Sequence, residues 1–154
     1  MKIGLLCVGR LGRAPEGALA ADYAARATLH GRPLGLGPVE ILEVEARKAG
    51  KPAEAEALLA KLPEGRLIAC DEHGKVHTSR AFASRLQTLR DEGLRQVTFV
   101  IGGADGLDSV LLHRADETLA FGPQTWPHAL ARVMLAEQVY RAVTILAGGP
   151  YHRD

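Results

Sequence analysis

Short apolar runs recur along the chain with longer segments of helical spacing between them, and this alternation narrows the possible folds more than any other feature. Residues 2–9 (KIGLLCVG), 66–70 (RLIAC) and 96–101 (QVTFVI) have strand length and little polar surface, as expected of strands covered on both sides. Residues 38–46 (PVEILEVEA) alternate apolar and acidic side chains like a partly exposed strand, and a fifth strand is expected near 115–121. Helices fill the intervals. Pro15 opens an Ala-rich helix that stops at Gly31, and Pro52, with Glu54 and Glu56 suited to the positive end of the dipole, opens another that ends near Leu62.

After a polar turn with Gly74, Thr78 or Ser79 caps a helix whose Phe82, Leu86 and Leu89 fall at i, i+4 and i+7 before Gly93 stops it. Arg80, Arg85 and Arg90 are expected to project outward. A short helix follows near 107–113, and the last long helix runs from Pro127 to about Thr144. Such an order describes an α/β domain with a mostly parallel sheet and helices on both faces. Residues 1–154 contain no linker, repeat or low-complexity tract, so one domain is expected.

Composition excludes several function classes. With 154 residues, 47% of them hydrophobic and 24% charged, the chain suits one globular core. Nineteen Lys+Arg against 18 Asp+Glu leave a net charge of +1, so any nucleic-acid contact must be local. No run approaches the roughly 18 apolar residues of a membrane span, and Met1 to Val8 is short for a signal-peptide core. Cys7 and Cys70 lie in apolar runs without a C-x-x-C partner, which fits buried thiols in a reducing cytoplasm.

The last helix bears on assembly. It is apolar nearly all round, interrupted by His128 and Arg132 on one line and by Glu137 and Arg141 almost opposite. A single sheet covers one side of such a helix, so a second subunit is expected to supply more cover, in a homodimer. Glu137 and Arg141 also have the spacing of a helical ion pair.

Three segments are candidates for chemistry. Gly102, Gly103 and Gly106 follow the fourth strand, where glycines let backbone approach a ligand closely or simply make a tight turn. The loop from Gly122 through Pro123, Gln124, Thr125, Trp126 and Pro127 is stiffened by two prolines, with Trp126 either a pocket wall or a core anchor. Tyr151, His152 and Arg153 end the chain as either a solubilising tail or an arm that reaches a substrate. Cys70, Asp71, His73 and His77 carry metal-capable groups without the spacing of a metal site, so no metal is expected.

Taken together, Val100-Ile101-Gly102-Gly103 to Leu107, Trp126 to Met134, Glu137 to Ala142 and Pro150-Tyr151-His152-Arg153 resemble the ribosomal large subunit methyltransferase H family over essentially the whole chain. The sequence departs from the family pattern at Ala104-Asp105, Trp126 and Cys70. The resemblance implies a SPOUT-type fold with a carboxyl-terminal trefoil knot, a homodimer, and methylation of N3 of a pseudouridine in 23S rRNA of the assembled ribosome. It implies S-adenosylmethionine as cofactor, contacted by Cys70, Gly103 and Gly122 to Pro127, with no DNA or membrane partner.

For the reaction, His152 or Tyr151 is the expected acceptor of the imino proton, or orients a water that accepts it. Arg153 is expected to hold RNA or stabilise developing charge, with His128 and Arg132 next in rank. Arg10, Arg13, Arg26 and Arg32 are expected to form a local phosphate-binding edge. Two competing readings remain: a flavodoxin-like or dinucleotide-binding enzyme, and a catalytically silent RNA-binding or ribosome-assembly factor on the same fold.

Overall fold

The computed structural model describes all 154 residues and contains five strands, five α-helices and a single 3-10 turn. The strands are β1 (Lys2–Val8), β2 (Val39–Val44), β3 (Arg66–Val76), β4 (Gln96–Ile101) and β5 (Glu117–Ala120). The helices are α1 (Pro15–Gly31), α2 (Lys51–Lys61), α3 (Ser79–Asp91), α4 (Ser109–Arg114) and α5 (His128–Leu146). Every strand pairing is parallel, and the sheet order is β2-β1-β4-β3-β5. A flavodoxin-like sheet has the order 2-1-3-4-5. Here β3 and β4 are exchanged, which removes that competing fold.

The period of two along β1 sorts the core into two layers. Ile3, Leu5 and Cys7 join Phe82, Leu86 and Leu89 of α3, with Leu135, Val139 and Val143 of α5, on one face. Leu6 and Val8 join Ala55 and Leu58 of α2 and Leu111 of α4 on the other. Phe82 and Phe99 meet at 5.7 Å between ring centroids. The α5 helix lies against both α1 and α3, so one chain already covers much of its apolar surface. Leu130 stays 41% exposed, and Val133 and Met134 are half-buried.

Thr78, not Ser79, caps α3, its side chain accepting from the Ala81 N–H at 3.1 Å. The three arginines of that helix are not free. Arg80 pairs with Asp154, Arg85 lies half-buried against Glu117, and Arg90 donates to the Leu34 carbonyl at 2.7 Å. No helix is long and apolar enough to cross a membrane.

The third strand does not end at residue 70. Cys70 and Lys75 both lie opposite Leu119, so residues 71–74 bulge from β3 before it resumes as far as Val76. Gly74 permits this, because a Cβ there would lie 2.7 Å from the Leu119 backbone. The expected polar turn is therefore an insertion within a strand. Its Asp71 carboxylate accepts from the His73 N–H at 2.9 Å.

Candidate active site

Ligands of parallel sheets gather beyond the carboxyl ends of the strands, where the strand order reverses. In this chain the ends of β3, β4 and β5 adjoin there, and a cavity of about 810 Å³ opens between them. Cys70 from β3, Gly102 and Gly103 after β4, and Gly122, Gln124, Thr125, Trp126 and Pro127 after β5 all line it. The three separate segments singled out in the sequence thus share one space. Pro123 is exposed in the same loop but outside the lining.

Close backbone packing shapes the cavity. Gly106 N–H donates to the Gly103 carbonyl at 3.1 Å, closing a tight turn, and a Cβ on Gly102 would stand 2.6 Å from the Gly106 oxygen. Glu54, read from the sequence only as a helix-start carboxylate, reaches across from α2 and accepts from the Gly103 N–H at 3.3 Å. Trp126 is not a core anchor. It is 39% exposed at the rim, and its indole N–H donates to the Phe121 carbonyl at 3.3 Å, closing the loop on itself. Burial pushes the Cys70 thiol above its ordinary range and the Cys7 thiol up to about 11, so both remain neutral.

His128 also lines the cavity, but Arg132, one helical turn on, does not. Arg132 is 1% exposed; it pairs with Glu43 and donates to the Gly9 carbonyl at 2.9 Å, while its Nε has no partner. Carbonyls at the end of β1 lack the donors that a continuing ladder would supply, and the guanidinium satisfies them. Arg132 therefore joins β1, β2 and α5 instead of facing a substrate. Its charge on an apolar helix was visible in the sequence, but a partner 89 residues away was not.

The structure does not bring the tail to this cavity within one chain. Tyr151 packs on Tyr140 at 4.7 Å between rings, lies under the Arg141 guanidinium and donates its hydroxyl to Glu137 at 3.0 Å. Burial and hydrogen bonds with Tyr23 and Glu137 push its phenol above the ordinary range. His152 Nδ1 lies 3.2 Å from Arg141 and its Nε2 lies 3.0 Å from Asp154. Because Arg141 can only donate, Nδ1 accepts and Nε2 carries the proton. Arg153 is exposed. Glu137 lies nine residues beyond His128, about 13 Å along the helix at 1.5 Å per residue.

A second concave surface adjoins the tail. It encloses about 490 Å³ and is mainly apolar, with Leu19 and Tyr23 of α1, Phe82 of α3 and Val133, Met134 and Glu137 of α5 in its lining. His77 lies in this groove, whereas Asp71 and His73 border the first cavity.

Residues 1–152 match the family described as "Predicted SPOUT methyltransferase". The chain is 70% identical over 154 residues to "Ribosomal RNA large subunit methyltransferase H" of Caulobacter sp. (strain K31), with 100% of each chain covered. It is 54% identical over 155 residues to the protein of that name from Dinoroseobacter shibae, with 99% of each covered. A solved "Probable Methyltransferase" from Bordetella pertussis Tohama I has a TM-score of 0.54 at 18% identity, over 92% of this chain and 96% of that one. That likeness concerns the fold alone.

Proposed function

We propose, for a chain that belongs to the ribosomal RNA large subunit methyltransferase H family of SPOUT methyltransferases, transfer of a methyl group from S-adenosylmethionine to N3 of a pseudouridine in 23S rRNA of the assembled ribosome. The observation that carries this reading is the convergence of the β3, β4 and β5 ends on one cavity. Its volume lies in the range of small-molecule sites, roughly 300–1,000 Å³. Its lining combines backbone turns with the apolar Ile101, Leu107, Phe121, Trp126 and Pro127. Gly102 has no room for a side chain because the Gly106 backbone packs against it, which keeps the turn beside the cavity tight.

In that space, Cys70, Gly103, Gly122 and Gln124 to Pro127 would hold the cofactor through backbone groups and apolar contact, with Pro123 stiffening the loop from outside the lining. When bound, S-adenosylmethionine supplies a methyl group on an electrophilic sulfonium. Holding the acceptor nitrogen in line with that carbon is the larger part of what the protein contributes. The imino proton must leave N3. Tyr151, kept as a neutral phenol, serves as a hydrogen-bond donor; His152 would take the proton on Nδ1 once that nitrogen leaves Arg141, or orient water for it, with Arg153 toward RNA.

The separation of tail and cavity along α5 supports a homodimer in which the second copy covers the apolar groove and brings its tail to the site. The same proposal includes the carboxyl-terminal knot: from β4 the chain crosses β3 and returns to the sheet as β5. Calorimetry with S-adenosylmethionine, followed by methylation of assembled ribosomes and of naked 23S rRNA, tests the reaction. Micromolar binding with methylation only of the assembled particle is expected. Cofactor binding without turnover on ribosomes would support the silent assembly factor instead.

A further inference from the structure

The loops that leave β1 and β2 carry cations for which the cavity has no evident use. These two strands pair in parallel with Val8 opposite Val44, and the Gly9 N–H donates to the Val44 carbonyl at 2.8 Å, so both loops leave the sheet at one level. Side chains then join them. Arg10 Nε lies 3.6 Å from Glu45, and Glu43 accepts both the Leu11 N–H at 3.2 Å and the buried Arg132.

The result is a braced surface on which Arg10, Arg13, Arg47, Lys48 and Lys51 are exposed, with Glu45 the one acidic residue in 9–14 and 45–51. Many arginines elsewhere are neutralised within the chain: Arg26 by Asp22, Arg80 by Asp154, Arg85 by Glu117 and Arg141 by Glu137. Arg13, Arg47, Lys48 and Lys51 make no such pair. Lys51 also lines the cavity, which places the cationic rim on its border. The cavity lining also holds Asp71, Glu72 and Asp105, which repel phosphate.

We infer that this rim binds the phosphodiester backbone of the RNA segment next to the methylated nucleotide, with Arg13, Arg47 and Lys48 as phosphate contacts. The inference rests on rRNA being the substrate and adds where and how it is gripped. A chain of net charge +1 attracts RNA weakly as a whole, and exposed charges are screened within roughly 8 Å at physiological salt. Local cations beside the site therefore decide the approach. Acidic groups in the cavity lining turn phosphates away from its interior, which leaves the RNA backbone over the β1–β2 loops and the target base toward the cavity. This surface differs from the edge expected from sequence. Arg10 and Arg13 belong to it, whereas Arg26 is paired on α1 and Arg32 follows the far end of that helix.

The test uses Arg47→Gln, Lys48→Gln and the double variant in methylation assays on assembled ribosomes over a series of salt concentrations. Each substitution should raise KM for the particle about threefold to tenfold and flatten the dependence of log KM on log salt by about 0.7–0.9. Affinity for S-adenosylmethionine, measured by calorimetry, should stay unchanged, and Arg47→Lys should restore the slope. Arg95→Gln, exposed beyond the opposite end of the sheet, should alter neither quantity. An unchanged KM and slope in the double variant, with the unsubstituted protein active, would overturn the inference. No methylation by the unsubstituted protein would overturn the functional reading beneath it, and this surface with it.

Discussion

The two concave surfaces of this molecule are built from different materials. Backbone turns at strand ends, rich in glycine and proline, enclose the cavity beyond β3, β4 and β5. The groove beside α5 is walled by whole side chains, Leu19, Tyr23, Phe82, Val133 and Met134 among them. Backbone donors and acceptors suit a small ligand that must be oriented, whereas an apolar groove flanked by half-exposed leucine and valine suits a partner surface. The tail lies with the groove, which meets the cavity at Phe121 and Gly122, so in one chain the proposed donor sits at the amino end of α5 and the proposed proton acceptor halfway along it or beyond. A chain arranged in this way holds the parts of a site without closing it, which is what the proposed dimer explains.

The strongest challenge to that division is removal of residues 151–154. Methylation should fall by about 10²–10⁴-fold, the range of a positioned acid–base group, while calorimetric affinity for S-adenosylmethionine stays within a few fold. Retained turnover would place the whole reaction in the cavity. Next is Met134→Asp, which sets a carboxylate in the groove. Burying it unpaired against a second copy costs several kcal/mol, so the dimer dissociation constant in sedimentation should rise by about a hundredfold or more. Unchanged association would show that the second copy sits elsewhere.

Gly102→Ala probes the other surface. The new methyl stands 2.6 Å from the Gly106 oxygen, and overpacking of about 1–3 kcal/mol should weaken cofactor binding roughly tenfold to a hundredfold without altering association. The smallest effect concerns Arg80→Gln. A hydrogen bond from Arg80 is the main reason that the Asp154 carboxyl is held down at about 2. A depressed acid contributes to tail docking above its ordinary range and loses that contribution only as pH falls through about 2. The substitution should return Asp154 toward 3.8, visible in a carboxyl NMR titration, with tail docking between pH 6 and 8 unaffected by Asp154 ionisation.

Much of the scaffold is legible in the sequence. The boundaries of α1 at Pro15 and Gly31 follow from the fixed φ of proline and the weak helix propensity of glycine, and the buried Phe82, Leu86 and Leu89 follow from helical period. The bulge in β3 was not legible, because residues 71–74 look like any polar turn until Lys75 is seen opposite Leu119. The candidate cofactor segments were identified one at a time. Nothing local shows that Glu54 would reach Gly103, or that Arg47 and Lys48 would stand beside Arg10.

Local sequence by itself determined the order and approximate place of the strands and helices, the faces that α3 and β1 bury, and the family to which the chain belongs, since these depend on residues a few positions apart or on patterns carried along the whole chain. Only the tertiary structure decided that β3 lies between β4 and β5, that Arg132 is spent on Glu43 and the end of β1, and that the tail docks on α5 away from the cavity. Those outcomes depend on hydrogen bonds and packing between groups remote in sequence. The energy of each pairing exists only once the other elements are in place.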